Sequence, residues 1–297
     1  MTILRNLAAI VGALTATAVQ AAPATVDDYM AQTPIPPDIR IAYGSAPAQV
    51  VELFLPKGRG PHPVVVLIHG GCFLAKFEGL AQTSGIAADL ARRGYAVWNV
   101  EYRKLGEPGA GYPGTFQDVA AAVDRIRVEA ARYHLDTRRV IAVGHSAGGH
   151  LALWAAGRGR LPPNSPLHTD DPLKIGAVVA LAGIGDLEGH GRAFALPCGD
   201  DTLERLIDIS GRAKPYADTS PAELLPMGVR VVMVHGAYDH VLPPYIGRDY
   251  AVLARAAGDP VEVMTLPDAG HFDLVIVTTP AWKAVVRTIA REFARIR

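Results

Sequence analysis

The sequence predicts an α/β protein built on a doubly wound, mostly parallel sheet of about eight strands. Short apolar runs rich in β-branched residues alternate with segments of helical pattern along most of the chain. From Val64 onward the apolar runs are nearly continuous, as expected for parallel strands that helices cover on both faces. The chain has 297 residues, of which 49% are hydrophobic, so it can bury one large core.

Each predicted element follows from its pattern of apolar residues. The predicted strands occupy residues 50–55, 64–68, 95–100, 140–143, 175–181, 229–234 and 261–266. The predicted helices occupy residues 79–93, 115–134, 147–157, 245–257 and the chain from 280 onward. Together they predict a single domain over residues 41–297.

One segment, residues 183–227, breaks this alternation. It joins two predicted strands with about 45 residues, which is more than an ordinary connection requires. We expect it to form a small cap insert with a helix at 200–209. A cap inserted at this place would shape the pocket above the sheet.

The first 21 residues have the pattern of a cleavable signal peptide. Arg5 precedes an apolar stretch at 7–19, and small residues precede a predicted cleavage after Ala21. The stretch is shorter than the roughly 20 residues that span a bilayer, which disfavours a membrane anchor. We therefore expect a periplasmic or secreted protein. Residues 22–40 then form an N-terminal arm, whose Pro-rich part is expected to be loosely held rather than part of the core.

The charges of the chain balance, with 29 Lys and Arg against 29 Asp and Glu. No overall field therefore favours nucleic acid, an anionic membrane or a charged polymer as a partner. We expect a small-molecule substrate, no nucleic acid and no stable membrane insertion. The sequence specifies no oligomeric state.

Cys72 and Cys198 are the two cysteines of the chain. In an exported protein they can form a disulfide, and the alternative is a pair of small buried thiols. The pattern leaves both open, because a bridge requires the two Cα atoms to lie within about 7 Å.

Residues 144–149, GHSAGG, directly follow a predicted strand and begin a predicted helix. A GxSxG string in this context indicates a sharp strand-to-helix turn that exposes the central serine, Ser146. The start of the helix adds backbone N–H groups where negative charge would develop. Ser146 is therefore the predicted nucleophile. A merely structural Gly-Ser turn would not account for both the strand and the helix.

A serine hydroxyl needs a neighbouring base to take its proton. Three of the ten histidines, His235, His240 and His271, lie after a late strand. His271 follows the last predicted strand on a loop where Gly270 lets the ring turn inward. We predict His271 as the general base, and His235 and His240 as scaffold or pocket lining.

Asp239 is the predicted acid that orients the histidine. It follows the predicted strand 229–234 at its carboxyl end, where α/β sheets place their reactive groups. The competing carboxylates are Asp186, which follows the strand 175–181, and Asp268 and Asp273. The last two lie very close to His271 in sequence, so Asp186 is the main alternative.

Residues 69–72, HGGC, end another predicted strand, and their glycines allow the backbone to approach a substrate oxygen closely. With the residue after the nucleophile, this loop predicts an oxyanion hole formed by the N–H groups of Gly71, Cys72 and Ala147. Because the reaction needs only one base, we expect the other histidines near these motifs to be structural. These are His69, His145 and His150.

Further motifs extend the pattern over nearly the whole mature chain: Glu-Tyr-Arg at 101–103, a helix bearing Asp118, and Ser-Pro-Ala at 220–222. The sequence resembles the branch of the α/β-hydrolase superfamily that contains acetyl esterases, bacterial feruloyl and acetyl-xylan esterases, and kynurenine formamidase. The resemblance implies an α/β-hydrolase fold in which Arg103 and Asp118 are paired scaffold residues. Cys72 stands where many relatives have a third glycine or an aromatic residue, so the pocket shape there is expected to differ.

The motifs and the resemblance predict a serine esterase that acts on short-chain acyl, acetyl or feruloyl-type esters, with no metal or organic cofactor. One alternative is an arylformamidase or amidase acting on substrates like N-formylkynurenine, which the predicted export disfavours. Another is a peptidase, although the chain lacks the length for a propeller domain. A non-catalytic binding protein of the same fold is disfavoured because every catalytic group has a candidate in the expected chain order.

Overall fold

A sheet and its covering helices account for most of the chain. The computed structural model describes residues 22–77 and 79–296, so the predicted signal peptide at 1–21 lies outside the described residues. The strands are β1 (Ile39–Ala42), β2 (Val50–Phe54), β3 (His62–Ile68), β4 (Ala96–Val100), β5 (Leu135–His145), β6 (Ala177–Leu181), β7 (Arg230–Gly236) and β8 (Val261–Leu266). The α-helices are α1 (Val26–Met30), α2 (Leu80–Arg92), α3 (Gly114–Tyr133), α4 (Ala147–Gly157), α5 (Leu187–Cys198), α6 (Thr202–Ile207), α7 (Pro244–Ala256) and α8 (Pro280–Arg295). Within the described ranges, no helix has the length and apolar character needed to cross a bilayer.

The strands follow the order β1-β2-β4-β3-β5-β6-β7-β8 in one sheet. The strands from β3 to β8 are parallel, whereas β1 and β2 join antiparallel at one edge. Strands β3 and β5 are neighbours although β4 separates them in sequence, so the direction of winding reverses between them. Open α/β sheets bind ligands beyond the carboxyl ends of their strands at such a point. His69 and Ser146 directly follow these two carboxyl ends.

Helices cover both faces of the sheet. Every residue of β4 and β6 is buried, although successive side chains of a strand point to opposite faces. Helices α3 and α4 pack together through Phe116 and Trp154, whose ring centroids are 5.0 Å apart. Helices α2 and α8 are joined by a hydrogen bond of 2.8 Å from Trp282 Nε1 to Asp89 Oδ2. The prediction of a doubly wound, mostly parallel sheet of about eight strands is confirmed.

Most predicted strands and helices lie within two residues of the observed ones. Strand β5 is the exception, because it begins at Leu135 rather than at residue 140. Its first residues pair with His62 and Pro63 at the start of β3, before an irregularity in the register. Strand β1 was not among the predicted runs, since it is only four residues long.

The sequence predicted that the Pro-rich part of the N-terminal arm, residues 22–40, is loosely held. The structure differs from this prediction. The arm contains α1, whose start is fixed by a capping box between Thr25 and Asp28. Tyr29 on this helix is only 4% exposed and packs in the main hydrophobic core. The buried aromatic ring therefore holds a segment whose proline content suggested an open loop.

The cap insert contains two α-helices where one was predicted. The predicted helix at 200–209 corresponds to α6, and the longer α5 precedes it. Gly189, Gly191 and Pro197 lie inside α5. These residue types have low helix propensity, which explains why the sequence pattern did not indicate this helix.

Candidate active site

Ser146 occupies the turn between β5 and α4. Its backbone angles are φ 55° and ψ −120°, outside the regions that most side chains adopt. The amide of Ser146 donates to the carbonyl oxygen of Leu181 over 2.8 Å, which holds the turn against β6. A Cβ at Gly144 would lie 2.0 Å from the carbonyl oxygen of Gly148, so this close turn requires glycine. The small residues of GHSAGG thus permit a strained turn at Ser146.

His271 and Asp239 form a buried pair on the loops that follow β8 and β7. His271 Nδ1 lies 2.8 Å from Asp239 Oδ2. The other carboxylate oxygen accepts the amides of Val241 at 2.9 Å and Leu242 at 2.8 Å. Because Nδ1 donates to the carboxylate, Nε2 of a neutral ring carries the lone pair that can accept a proton.

Asp239 remains ionised in this buried position. Burial by itself raises the pKa of its carboxyl group, but the hydrogen bonds from His271 and from the amides of Leu242 and Val241 outweigh that effect. The net pKa of Asp239 is therefore lowered. The pair consequently places a fixed negative charge against the imidazole ring.

Two of the competing carboxylates, Asp186 and Asp273, have other partners. Asp186 caps the start of α5 and accepts the amide of Gly189 at 3.0 Å. Asp273 accepts the amides of Ala24 at 3.0 Å and Gly270 at 2.8 Å. The ring of His271 contacts Asp239, the carboxylate that the sequence analysis favoured.

A loop of strained backbone follows β3, which we call the glycine loop (residues 69–73). Gly71, Cys72 and Phe73 have φ values of 97°, 56° and 58°, three successive left-handed residues. Gly71 and Cys72 line the same cavity as Ser146 and His271. Ala147, the third predicted oxyanion donor, is the first residue of α4 and so belongs to the amino end of that helix.

A disulfide joins Cys72 in the glycine loop to Cys198 at the end of α5. The two Cα atoms are 5.4 Å apart, within the range that a disulfide requires. Of the two possibilities that the sequence left open, the structure contains the bridge. It ties the cap insert to the backbone beside Ser146.

His69 anchors the glycine loop, as predicted. It is fully buried, and Nε2 lies 2.7 Å from Glu101 Oε1, which also accepts Lys104 Nζ at 3.0 Å. Burial raises the pKa of Glu101, but His69 and Lys104 outweigh it and lower the pKa to about 2. The His69 ring also stacks on Tyr102 with centroids 4.4 Å apart.

The scaffold pair implied by the family resemblance is present. Arg103 Nη2 lies 2.7 Å from Asp118 Oδ1, and Arg103 Nε lies 2.7 Å from Asp118 Oδ2. This bidentate geometry fixes the segment after β4 to α3. Ser220 accepts the amide of Leu187 at 3.1 Å and so braces the start of α5.

Three buried histidines support the loops around the site. His145 Nε2 donates to the carbonyl oxygen of His271 over 3.1 Å, and the two rings lie 4.5 Å apart. His235 Nδ1 contacts the carbonyl oxygen of Leu242 at 3.3 Å, and His150 Nδ1 contacts that of Ile184 at 3.0 Å. Burial lowers the pKa of His145 to about 3, and the pKa values of His150 and His235 to about 4. All three are therefore neutral at pH 7.

A cavity of about 370 Å³ lies over Ser146 and His271. Its walls are mostly apolar and come from the arm, the glycine loop, the cap and the loops after β7 and β8. The lining residues are Val26, Tyr29, Met30, Gly71, Cys72, Phe77, Gln82, His145, Ser146, Pro197, Val241, His271 and Phe272. The sequence pattern gave no signal for the arm residues among them. In the described part of the chain, no group of three or more His, Cys, Asp or Glu side chains could hold a metal ion.

A serine on a strained strand-to-helix turn, with a buried carboxylate and a buried histidine on the loops after two later strands, occurs in α/β-hydrolases. The sheet order and the position of the turn place this chain in that class of protein. The family model BD-FAE matches residues 51–249, which are 199 of the 297 residues. The chain belongs to the BD-FAE family.

Relatives by sequence carry esterase names. Esterase LipC from Mycobacterium tuberculosis is 28% identical over 252 residues, covering 80% of this chain and 60% of that protein. The probable isoprenylcysteine alpha-carbonyl methylesterase ICMEL1 from Oryza sativa subsp. japonica is 24% identical over 250 residues, covering 80% of this chain and 57% of that protein. The chain thus spans less than two thirds of the length of these curated relatives.

Solved structures share the fold over more of their length. Esterase B from Lactobacillus rhamnosis superposes with a TM-score of 0.73 at 19% identity, covering 91% of this chain and 90% of that chain. A truncated carbohydrate esterase from gut microbiota has a TM-score of 0.69 at 20% identity, covering 92% of this chain and all of that chain. At such low identity, these likenesses establish the fold.

Proposed function

We propose that this chain is a serine hydrolase that cleaves carboxylic esters, with Ser146 as nucleophile, His271 as general base and Asp239 as the residue that orients the histidine. The observation that carries the proposal is the 2.8 Å contact between His271 and Asp239 beside a cavity that Ser146 and His271 both line. Membership of the BD-FAE family and the esterase names of its relatives support it.

In the first half of the reaction, Ser146 Oγ attacks the carbonyl carbon of the ester while His271 Nε2 takes the hydroxyl proton. The carbonyl oxygen becomes negatively charged and accepts hydrogen bonds from the amides of Gly71, Cys72 and Ala147. The bond from carbon to the leaving oxygen then breaks, and His271 gives its proton to the departing alcohol. The acyl group stays on Ser146.

In the second half, a water molecule gives a proton to His271 and attacks the acyl carbon. The bond to Ser146 Oγ breaks, Ser146 recovers its proton from His271, and the acid leaves. Asp239 keeps the ring in one tautomer and stabilises its charged form through both halves. The whole cycle therefore uses side chains and backbone amides of this chain and one water molecule.

Replacing Ser146 with alanine tests the assignment. We expect kcat for p-nitrophenyl acetate to fall by about 10⁴-fold or more in purified Ser146→Ala protein, and labelling by a fluorophosphonate to disappear. Ser210, which is exposed and lies in the cap, provides the matched control Ser210→Ala, which should keep both properties. Hydrolysis that survives in folded Ser146→Ala protein would contradict the proposal.

The proposed substrates are short-chain acyl, acetyl or feruloyl-type esters. The mostly apolar cavity favours uncharged substrates, since it offers few polar groups to replace lost hydration. Comparing kcat/KM for acetyl, butyryl and feruloyl esters with that for an N-formyl anilide ranks esterase against amidase activity. A higher kcat/KM for the anilide would favour the amidase alternative.

We also propose that the chain is exported and cleaved after Ala21. The signal pattern supports this, and so does the disulfide, because disulfides persist in oxidising compartments. Mass spectrometry of the protein recovered from the periplasm or the medium should find Ala22 as the first residue. Recovery of uncleaved protein from the cytosol would contradict the proposal.

A further inference from the structure

We propose that the N-terminal arm forms a fixed wall of the substrate cavity, and that Val26 and Met30 on α1 determine which esters the cavity admits. The inference rests on the proposed esterase function and adds a specificity determinant to it. The arm precedes residues 51–249, the range that the family model matches. It nevertheless supplies Val26, Tyr29 and Met30 to the lining of the cavity.

The start of the arm is attached to the loop that carries His271. Asp273 Oδ2 accepts the amide of Ala24 at 3.0 Å and the amide of Gly270 at 2.8 Å. A Cβ at Gly270 would lie only 2.9 Å from Pro23 Cβ, so the two segments are in close contact. One buried carboxylate therefore joins the arm to the residue that directly precedes His271.

The middle of the arm packs on the side chains around the proposed base. The Tyr29 ring stacks on Phe272 with centroids 5.4 Å apart, and its edge meets His145 at 6.0 Å. The Phe272 ring in turn lies 5.0 Å from the ring of His271. Aromatic contacts of this kind add about 0.5–1.5 kcal/mol each beyond the area that they bury.

The far end of the arm is attached to α2. Gln82 Nε2 donates to Met30 Sδ over 3.0 Å, and the amide of Ile35 donates to Ser84 Oγ over 3.0 Å. Gln82 itself lines the cavity. The arm is thus held by the loop of His271 at one end and by α2 at the other, with α1 against the cavity between them.

Val26 and Met30 are suited to select substrates by size. They line the cavity, yet they are 42% and 40% exposed, which places them where the cavity meets solvent. Both are apolar, so they favour an uncharged, apolar part of the ester. Changing one methylene group in an apolar pocket alters discrimination between substrates by roughly 10–200-fold.

The test is the double variant Val26→Ala/Met30→Ala, assayed with two series of esters. One series varies the acyl chain of p-nitrophenyl esters from acetate to decanoate, and the other varies the alcohol of acetate esters. We expect the ratio of kcat/KM for the largest substrate to that for the smallest to rise by about tenfold or more in one series. The readout is this ratio rather than the absolute kcat/KM of any one ester, because both residues line the cavity.

Two further variants complete the experiment. Val26→Phe should narrow the cavity and shift the same ratio in the opposite direction. Ile35→Ala is the matched control, because Ile35 is on the arm and 38% exposed but lines a different groove. In each series, the Ile35→Ala variant should have the same ratio of kcat/KM for the largest substrate to that for the smallest as the wild type.

The outcomes separate the two proposals. If the wild type hydrolyses esters and both cavity variants keep its ratios in both series, the arm does not determine specificity and this inference is wrong. If the wild type hydrolyses no ester of either series, the proposed function itself is wrong, and the inference falls with it.

Discussion

The two carboxylate oxygens of Asp239 accept hydrogen bonds from different partners. One accepts two backbone amides that fix the loop, and the other accepts Nδ1 of His271. The charge that meets the imidazole is therefore held in place by the fold rather than by a flexible side chain. Such positioning keeps the proton on Nδ1 and leaves Nε2 ready to act.

Asp239→Asn should reduce activity without unfolding the protein. The amide side chain keeps the shape but can donate to Nδ1, which favours the wrong tautomer of His271. We expect kcat to fall by about 10⁴-fold, as in the serine protease triad. The assay is p-nitrophenyl acetate hydrolysis, with circular dichroism as the check on folding.

Asp186→Asn is the matched control for this change. Asp186 was the competing acid in the sequence, and in the structure it caps α5. An asparagine caps a helix about as well as an aspartate, so kcat should stay within about twofold. A large loss for Asp186→Asn together with a small loss for Asp239→Asn would reverse the assignment.

At the residue scale, the sequence identified the groups of the candidate site that belong to motifs. Ser146, His271 and Asp239 follow strand ends in a fixed chain order, and that order is visible in the sequence. Tyr29 and Met30 had no comparable signal. They reach the cavity through packing between segments far apart in sequence, which no local pattern records.

At the scale of elements, the disulfide makes α5 and the glycine loop a single unit. Cys72 has a left-handed backbone and is a proposed oxyanion donor, while Cys198 ends the cap helix. Pro197, beside Cys198, lines the cavity together with Cys72. The cap and the loop therefore line the same cavity and are covalently joined beside it.

Removing the bridge should lower the stability of the protein. We expect the Cys72→Ser/Cys198→Ser variant to lose about 2–4 kcal/mol of unfolding free energy. The reason is that the bridge joins two cysteines with a sequence separation of 126 and so restricts the unfolded chain. Urea unfolding with and without dithiothreitol measures the effect. Dithiothreitol should destabilise the wild type and leave the variant unaffected. Two free thiols titrated in the untreated native protein would show that the bridge is absent.

The sequence predicted elements well where their periodicity was long. Strands β3 to β8 are apolar runs, and helices such as α3 with 20 residues carry a sustained pattern. The elements that were missed are short or interrupted. Helix α1 has five residues and β1 has four, and α5 contains glycines and a proline. Tertiary packing, rather than local propensity, stabilises these elements.

At the scale of the whole molecule, burial of neutral histidines makes stability depend on pH. In the unfolded chain His145, His150 and His235 titrate near pH 6.5, but in the fold their pKa values are lowered to about 3 or 4. At pH values between these two limits, the unfolded state binds more protons than the folded state. The contribution of these neutral histidines to the unfolding free energy is therefore fully present above pH 6.5. It decreases as the pH falls toward 4.

Urea unfolding between pH 7.5 and 5 should show this loss. Each of the three histidines adds up to about 1.4 kcal/mol per pH unit to the slope of the unfolding free energy against pH, once the pH lies well below 6.5. His150→Gln should reduce the slope by about a third, whereas His240→Gln, at an exposed position, should not change it. An unfolding free energy that stays constant from pH 6.5 to 5 would contradict the prediction.

The bridge between Cys72 and Cys198 also closes a covalent ring within the molecule. Ser146 lies inside this ring, whereas Asp239 and His271 lie outside it. A protease that cuts an exposed loop inside the ring, such as the one around Asp170, would break the chain without separating its pieces. The nicked protein would migrate as one band in a non-reducing gel and as two bands after reduction. After such a cut, the ring would keep Ser146 covalently joined to the part of the chain that carries Asp239 and His271.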